Sequence, residues 1–191
     1  SIDLVLATIR QQNFSYTMFS PNIEGIEIFK YLKFKPLNNE VSVFFNTPSV
    51  SGTKQVETLL NMEQAETHLP ERAAKCLADH IEFPWLNFLL FNENGQYGFL
   101  IYKKEIYKKL ASSWIMYVSD QALFRRCWVH IRTFLLFKHG MFTSKIESRM
   151  LDQPMDTWLK PVPGTQKLYL SDELPASCIH NIYSELVTLD L

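Results

Sequence analysis

Few side chains in this sequence are spaced for chemistry. Glu147 and Arg149 flank Ser148 in a stretch whose alternation predicts a strand. A carboxylate on such a strand, facing a cleft, would accept a proton from an amine. The plainer alternative is an ion pair at the surface. Cys127 and His130 stand i and i+3 on one predicted helix and could meet as nucleophile and base. Cys127 also falls in an apolar stripe, where a thiol packs as a small hydrophobe. His68, His80, His130, His139 and His180 share no metal-ligand spacing with Cys, Asp or Glu, so no metal is expected. Arg125, Arg126, Arg132, Lys138 and His139 decorate one helix, either as a solvated face or as a patch for a phosphate-bearing ligand. The run YKKEIYKKL sets Tyr102 and Tyr107 among four lysines. That pattern suits a platform for single-stranded nucleic acid, or an edge strand guarded by charge.

Composition narrows the classes. At 191 residues the chain can bury one ample core or two small ones. Its 19 Lys+Arg are balanced by 20 Asp+Glu, which argues against a protein built mainly to coat nucleic acid or an anionic membrane. A small local anion site is not excluded. Cys76, Cys127 and Cys178 lie far apart without a C-x-x-C, which points to reduced thiols and a cytoplasmic protein. No apolar run approaches the ~20 residues needed to span a bilayer. The first residue is Ser and it opens a helix-like segment, so further residues are expected before it.

The elements that must position these side chains alternate along the chain. Residues 2–11 read as the tail of a helix, 14–19 as a buried strand, and Ser20-Pro21 as the cap and first turn of a helix to about Leu32. Residues 40–45 form the next strand, and the turn-rich stretch 46–53 is the best boundary. Residues 55–67 and the stretch after Pro70 read as helices. Two strands, LNFLLFNE and YGFLIYKKE, are joined by Asn94-Gly95, a strong hairpin signal. A further strand, SWIMYVS, leads to Asp120, which can cap a helix over Gln121–His139 ended by Gly140. Strands MFTSKIES and KLYLS and a last helix after Pro175 complete the series. The class is therefore α/β (α+β), with a mixed, partly antiparallel sheet flanked by helices. The segment from Trp128 to Ser148 echoes that from Leu4 to Asn22, which raises the prospect of a tandem duplication.

The stretch from Ser20 to Leu37 resembles the C-terminal part of the GNAT superfamily of acyl-CoA-dependent N-acyltransferases. There a strand leads into a helix with the pattern N-x-x-A-x-x-x-Y-x-x-x-G-F. Asn22 takes the Asn place, Gly25 the small-residue place, Phe29 the Tyr place, Lys33 the Gly place and Phe34 the Phe place. Residues 56–150 follow the family's order of elements without its motifs. Phe29 departs from the family because it cannot protonate a leaving thiolate. The family's glycine-rich loop that binds the CoA pyrophosphate would precede Ser1 in the first repeat. In the second it corresponds to YVSDQALFRR, which has no glycine and places Asp120 where a phosphate would sit.

The resemblance implies two GNAT-like units, 1–47 as the C-terminal part of a first and 48–191 as a degenerate second. It implies acyl transfer from acetyl-CoA or another acyl-CoA to an amine, with no metal. Ser20, Asn22 and Phe29 would line the acyl-CoA cleft and Glu147 would act as base. The expected partners are a small-molecule or peptide amine acceptor and a second copy of the chain, with no nucleic acid and no membrane. The competing reading is a non-catalytic interaction or dimerisation module on the same fold, anchored by Trp128, Trp158 and Tyr183.

Overall fold

The computed structural model describes residues 17–20, 35–37, 40–49, 55–59, 61–147, 150–151, 155, 161–163 and 167–170. The chain forms two compact units. Residues 1–40 with 163–179 make unit 1, and residues 41–162 with 180–191 make unit 2. The helices expected at 2–11, 20–32 and after Pro175 lie outside the described residues, as do Asn22, Phe29, Ser148 and Arg149.

Unit 1 contains a three-stranded antiparallel sheet of β1 (Thr17–Ser20), β2 (Lys35–Leu37) and β10 (Lys167–Leu170), ordered β1-β10-β2. Thr17 lies opposite Leu170, and Leu37 opposite Leu168. Pro36 has no N–H to give a ladder, and β2 is accordingly at an edge.

Unit 2 is built on β3 (Glu40–Phe45), β4 (Gln55–Thr58), β5 (Leu86–Glu93), β6 (Gln96–Tyr107), β7 (Leu110–Val118), β8 (Thr143–Glu147) and the two-residue β9 (Val162–Pro163). Their order is β4-β5-β6-β7-β8-β3-β9. All the registered pairs are antiparallel except β7–β8, which is parallel. Among the described residues, three helices accompany the sheet: α1 (Met62–His68), α2 (Glu71–Ala78) and α3 (Gln121–His139). The mixed α+β class expected from the sequence is the one observed.

Local rules account for the elements that match. Asn94 (φ 53°) and Gly95 (φ 79°) both take the left-handed conformation that a two-residue hairpin turn needs. The bounds of α3 fall where expected. Asp120 Oδ1 accepts from Leu123 N at 2.9 Å, and Gly140 ends the helix at φ 65°. Phe124, Cys127, Trp128, Ile131 and Leu135 are buried beneath α3 and pack with Leu89, Phe91, Leu100, Tyr102 and Ile146 of the sheet.

Two readings are corrected, and a third is settled by the strand register. Residues 55–67 are not one helix. Gln55–Thr58 is strand β4, because Val56 and Thr58 pair opposite Phe91 and Leu89 on an otherwise open β5 edge. Helix α1 begins only after Asn61, whose side chain caps Gln64 N at 2.9 Å. The run YKKEIYKKL pairs with β7 along its length, but its pairing with β5 ends at Lys103, so from Lys104 onward its β5 side is an open edge carrying lysine, as one of the two sequence readings had it. It ends in a second hairpin turn on Lys108 (φ 47°) and Lys109 (φ 68°), residues that give no turn signal in sequence. Trp128 is only 6% exposed, so it is core and cannot anchor a partner.

β3 comes early in the chain but lies within unit 2, whereas β10 comes late and lies within unit 1. Each sheet therefore holds a matching triplet, β1-β10-β2 and β8-β3-β9, with the middle strand supplied from the other half of the sequence.

Candidate functional site

The parallel pair β7–β8 is the place to look for a site, because in open α/β sheets ligands bind outside the carboxyl ends of such strands. Ser112, Ser113, Trp114 and Ile115 pair with Thr143, Ser144, Lys145 and Ile146. Pairing stops at Ile115 and Ile146, while β7 runs on to Val118. At the same level the β6–β7 ladder slips. Tyr102 lies opposite Ile115, but Ile101 lies opposite Tyr117, so Met116 is an extra residue with no Cα partner on β6. A bulge of this kind takes its residue out of the ladder and bends the strand. Nothing in SSWIMYV announces it, since a bulge here has neither glycine nor a break in hydrophobicity.

Glu147 follows Ile146 directly, at the end of β8, and lies opposite Val41. It is 2% exposed, so its carboxylate does not lie at the surface. Ser20 ends β1, in unit 1, opposite Lys167. Glu147 belongs to unit 2.

The N-terminus of α3 follows β7. Its free N–H groups would suit an anion, but the Asp120 carboxylate already accepts from one of them. Arg126, in the second turn of the helix, is committed elsewhere. Its Nε donates to Glu93 and its Nη2 to Gln96 Oε1 at 2.9 Å, which ties the helix to the β5–β6 hairpin. Further along, Arg132 Nη1 donates to the Phe45 carbonyl at 3.1 Å and its guanidinium lies 5.5 Å from the Trp128 ring centroid. Burial lowers the Arg132 pKa. His139 shares a 3.3 Å contact with Thr58 Oγ1. Burial first, and then the charge of Lys104, lower its pKa. Much of the basic face of α3 is therefore spent on structure. Cys127 is buried with Sγ 3.8 Å from the Asn92 carbonyl, a packing contact. Among the described residues no cluster of His, Cys, Asp or Glu could hold a metal.

Tyr102 is fully buried, which removes one of the two rings of the nucleic-acid platform considered above. Lys145 instead lies 5.2 Å from the Trp114 ring and 5.5 Å from the Tyr107 ring, and pairs with Glu105 at 2.8 Å.

A buried polar chain joins β7, β8 and β3 near their shared end. Ser144 Oγ donates to Asn46 Oδ1 at 2.8 Å, and Asn46 Nδ2 donates to the Met141 carbonyl at 2.8 Å. Since Ser144 has spent its one proton on Asn46, Ser113 is the donor in the 2.8 Å Ser113–Ser144 contact. The sequence places Asn46 in a polar linker. Its burial follows only from the insertion of β3.

No protein-family profile matches this chain, and no curated protein does. Solved structures do. A GCN5-related N-acetyltransferase from Anabaena variabilis superposes on 88% of this chain and 48% of its own, at 12% identity and a TM-score of 0.52. The chain thus spans about half the length of that protein. A GCN5-related N-acetyltransferase from Kribbella flavida matches 91% of this chain and 74% of its own, at 11% identity and a TM-score of 0.47. A functionally unknown conserved protein from Staphylococcus epidermidis matches at 12% identity over 89% of this chain and 80% of its own, at a TM-score of 0.46. At such identities the likeness shows the fold, which is GNAT-like.

Proposed function

We propose that this chain is part of an acyl-CoA-dependent N-acyltransferase, or of a divergent relative, built from two GNAT-like repeats. The repeats are those read from the sequence, 1–47 and 48–191, each lending its last strand to the other's sheet. The matching triplets β1-β10-β2 and β8-β3-β9 support that reading.

The observation that carries the function is the bulge at Met116 beside the point where β7 and β8 stop pairing. A backbone N–H outside the ladder is a fixed donor for a carbonyl that gains negative charge as an amine attacks it. Glu147, at the adjoining end of β8, would take the proton from the amine. Ser20, Asn22 and Phe29 would line the corresponding cleft of the first repeat, with acetyl-CoA or another acyl-CoA as co-substrate. The phosphate half of such a ligand does not fit unit 2, where Asp120 fills the helix N-terminus with a carboxylate. Unit 2 is therefore read as retaining the acyl end of the site without its phosphate cradle.

That misfit also favours a second reading, in which unit 2 has given up catalysis and serves as a scaffold. Release of free thiol from acetyl-CoA, measured with a panel of small and peptide amines, separates the two. Turnover that Glu147→Gln reduces by about 10²–10⁴-fold, with folding intact, supports the base assignment. Absence of thiol release with every amine supports the scaffold.

A further inference from the structure

Large apolar side chains are exposed mainly at one end of the unit 2 sheet. Of the six exposed among the described residues, only Val129 lies away from it, on the middle of α3. Ile106 (72%) and Leu110 flank the β6–β7 turn, Phe142 (52%) precedes β8, Phe45 ends β3, and Phe137 (68%) lies in the last turn of α3. Backbone bonds draw these positions together: Phe142 N donates to the Ala111 carbonyl at 2.8 Å, and Asn46 N to the Phe142 carbonyl at 2.9 Å. Exposed lysines stand among them. Lys104 shares the β6 face of Ile106, Lys108 and Lys109 form the turn, and Lys138 follows Phe137. Among the described residues no carboxylate pairs with any of the four. Among the described residues, the acidic ones near this end are Glu105, held by Lys145, and Glu57 and Glu82, which lie toward the β4–β5 side.

We propose that this end of unit 2 docks on an anionic lipid surface, with the apolar side chains entering the headgroup boundary and the lysines meeting lipid phosphates and carboxylates. The chemistry favours lipid over a protein partner. Protein interfaces are depleted in lysine and rich in arginine and tyrosine, whereas apolar tips ringed by lysine suit an interfacial anchor. The chain's near-zero net charge is no obstacle, because attraction to a charged surface acts within about a Debye length, ~10 Å at 0.1 M salt. No described helix is long and apolar enough to cross a membrane.

The test is co-sedimentation with vesicles of phosphatidylcholine mixed with phosphatidylserine, against phosphatidylcholine alone. Binding is expected only to the mixed vesicles. Lys108→Asn/Lys109→Gly removes two charges while giving the turn residues better suited to positive φ, so it cannot act by unfolding. It should weaken binding about thirty-fold. Ile106→Ser/Phe142→Ser should weaken it too, and Val129→Ser should not. Failure to bind mixed vesicles, or binding that ignores both double substitutions, would overturn the proposal. A dimer in sedimentation equilibrium that Phe142→Ser dissociates, with no vesicle binding, would overturn it in favour of a second copy. Capture of an acidic amphipathic peptide, again without vesicle binding, would assign the face to a protein partner instead.

Discussion

Replacing Asn46 by alanine tests whether β3 is truly clasped into the unit 2 sheet. The side chain makes two buried bonds, from Ser144 Oγ and to the Met141 carbonyl. Losing the amide leaves the Met141 carbonyl without that donor, at about 1–3 kcal/mol for a buried group. Ser144 can turn its proton toward Ser113, so the second loss is about 1 kcal/mol. Together the substitution should cost about 2–4 kcal/mol, a large share of the ~5–15 kcal/mol that holds an ordinary domain together. Urea unfolding would show a lower midpoint with an unchanged slope. The double variant with Ser144→Ala should cost less than the sum of the two single ones, because each breaks the same bond. Asn46→Asp should be worse than alanine at neutral pH, since it sets a carboxylate against the Met141 carbonyl oxygen. An Asn46→Ala variant within about 0.5 kcal/mol of the parent, the ordinary range for surface changes, would mean that β3 is not held there as described.

Three further outcomes follow from particular contacts. A methyl group on Gly98 would lie 2.8 Å from Phe91 Cε2 and 2.9 Å from Cζ, and that ring is fully buried, so Gly98→Ala should destabilise by about 1–3 kcal/mol in the same urea assay. Lys109→Gly relieves a left-handed backbone (φ 68°) at an exposed turn and should stabilise by about 1 kcal/mol, read as a raised thermal midpoint. The lowered His139 pKa means that the native state binds fewer protons than the unfolded chain as pH falls below the ordinary value of 6.5. The contribution is complete above 6.5 and is lost on acidification toward the native pKa; stability measured across that range should fall, and should fall less in His139→Gln.

Local chemistry made much of unit 2 readable. Asn94-Gly95 fixed one hairpin, and Asp120 and Gly140 fixed both ends of α3, because each acts through its own backbone neighbours. The failures have the opposite character. Gln55–Thr58 is a strand only because β5 offers it an edge, a partner some thirty residues away. Lys108 and Lys109 form a turn because two long strands are forced to meet there, against their own preference. Asn46 looks like linker until β3 is inserted beside β8. The candidate site shares that problem. Glu147 could be named from its strand pattern, but its burial depends on the elements packed around β8. The Met116 bulge is a mismatch of register between two strands and has no signature in either. The Asp120 misfit could be read in advance, because a helix cap and an anion site compete for the same N–H groups.

The most direct measurement is a calorimetric titration of the chain with acetyl-CoA and with S-acetyl-pantetheine, repeated for Asp120→Asn. Asparagine keeps the cap and removes the charge. If unit 2 offers the acyl end of a site without a phosphate cradle, the two ligands should bind the parent chain with similar affinity, and Asp120→Asn should improve acetyl-CoA alone. Acetyl-CoA binding the parent much more tightly than acetyl-pantetheine, with no response to Asp120→Asn, would mean that the phosphates are held by groups other than those at the start of α3, contradicting this account.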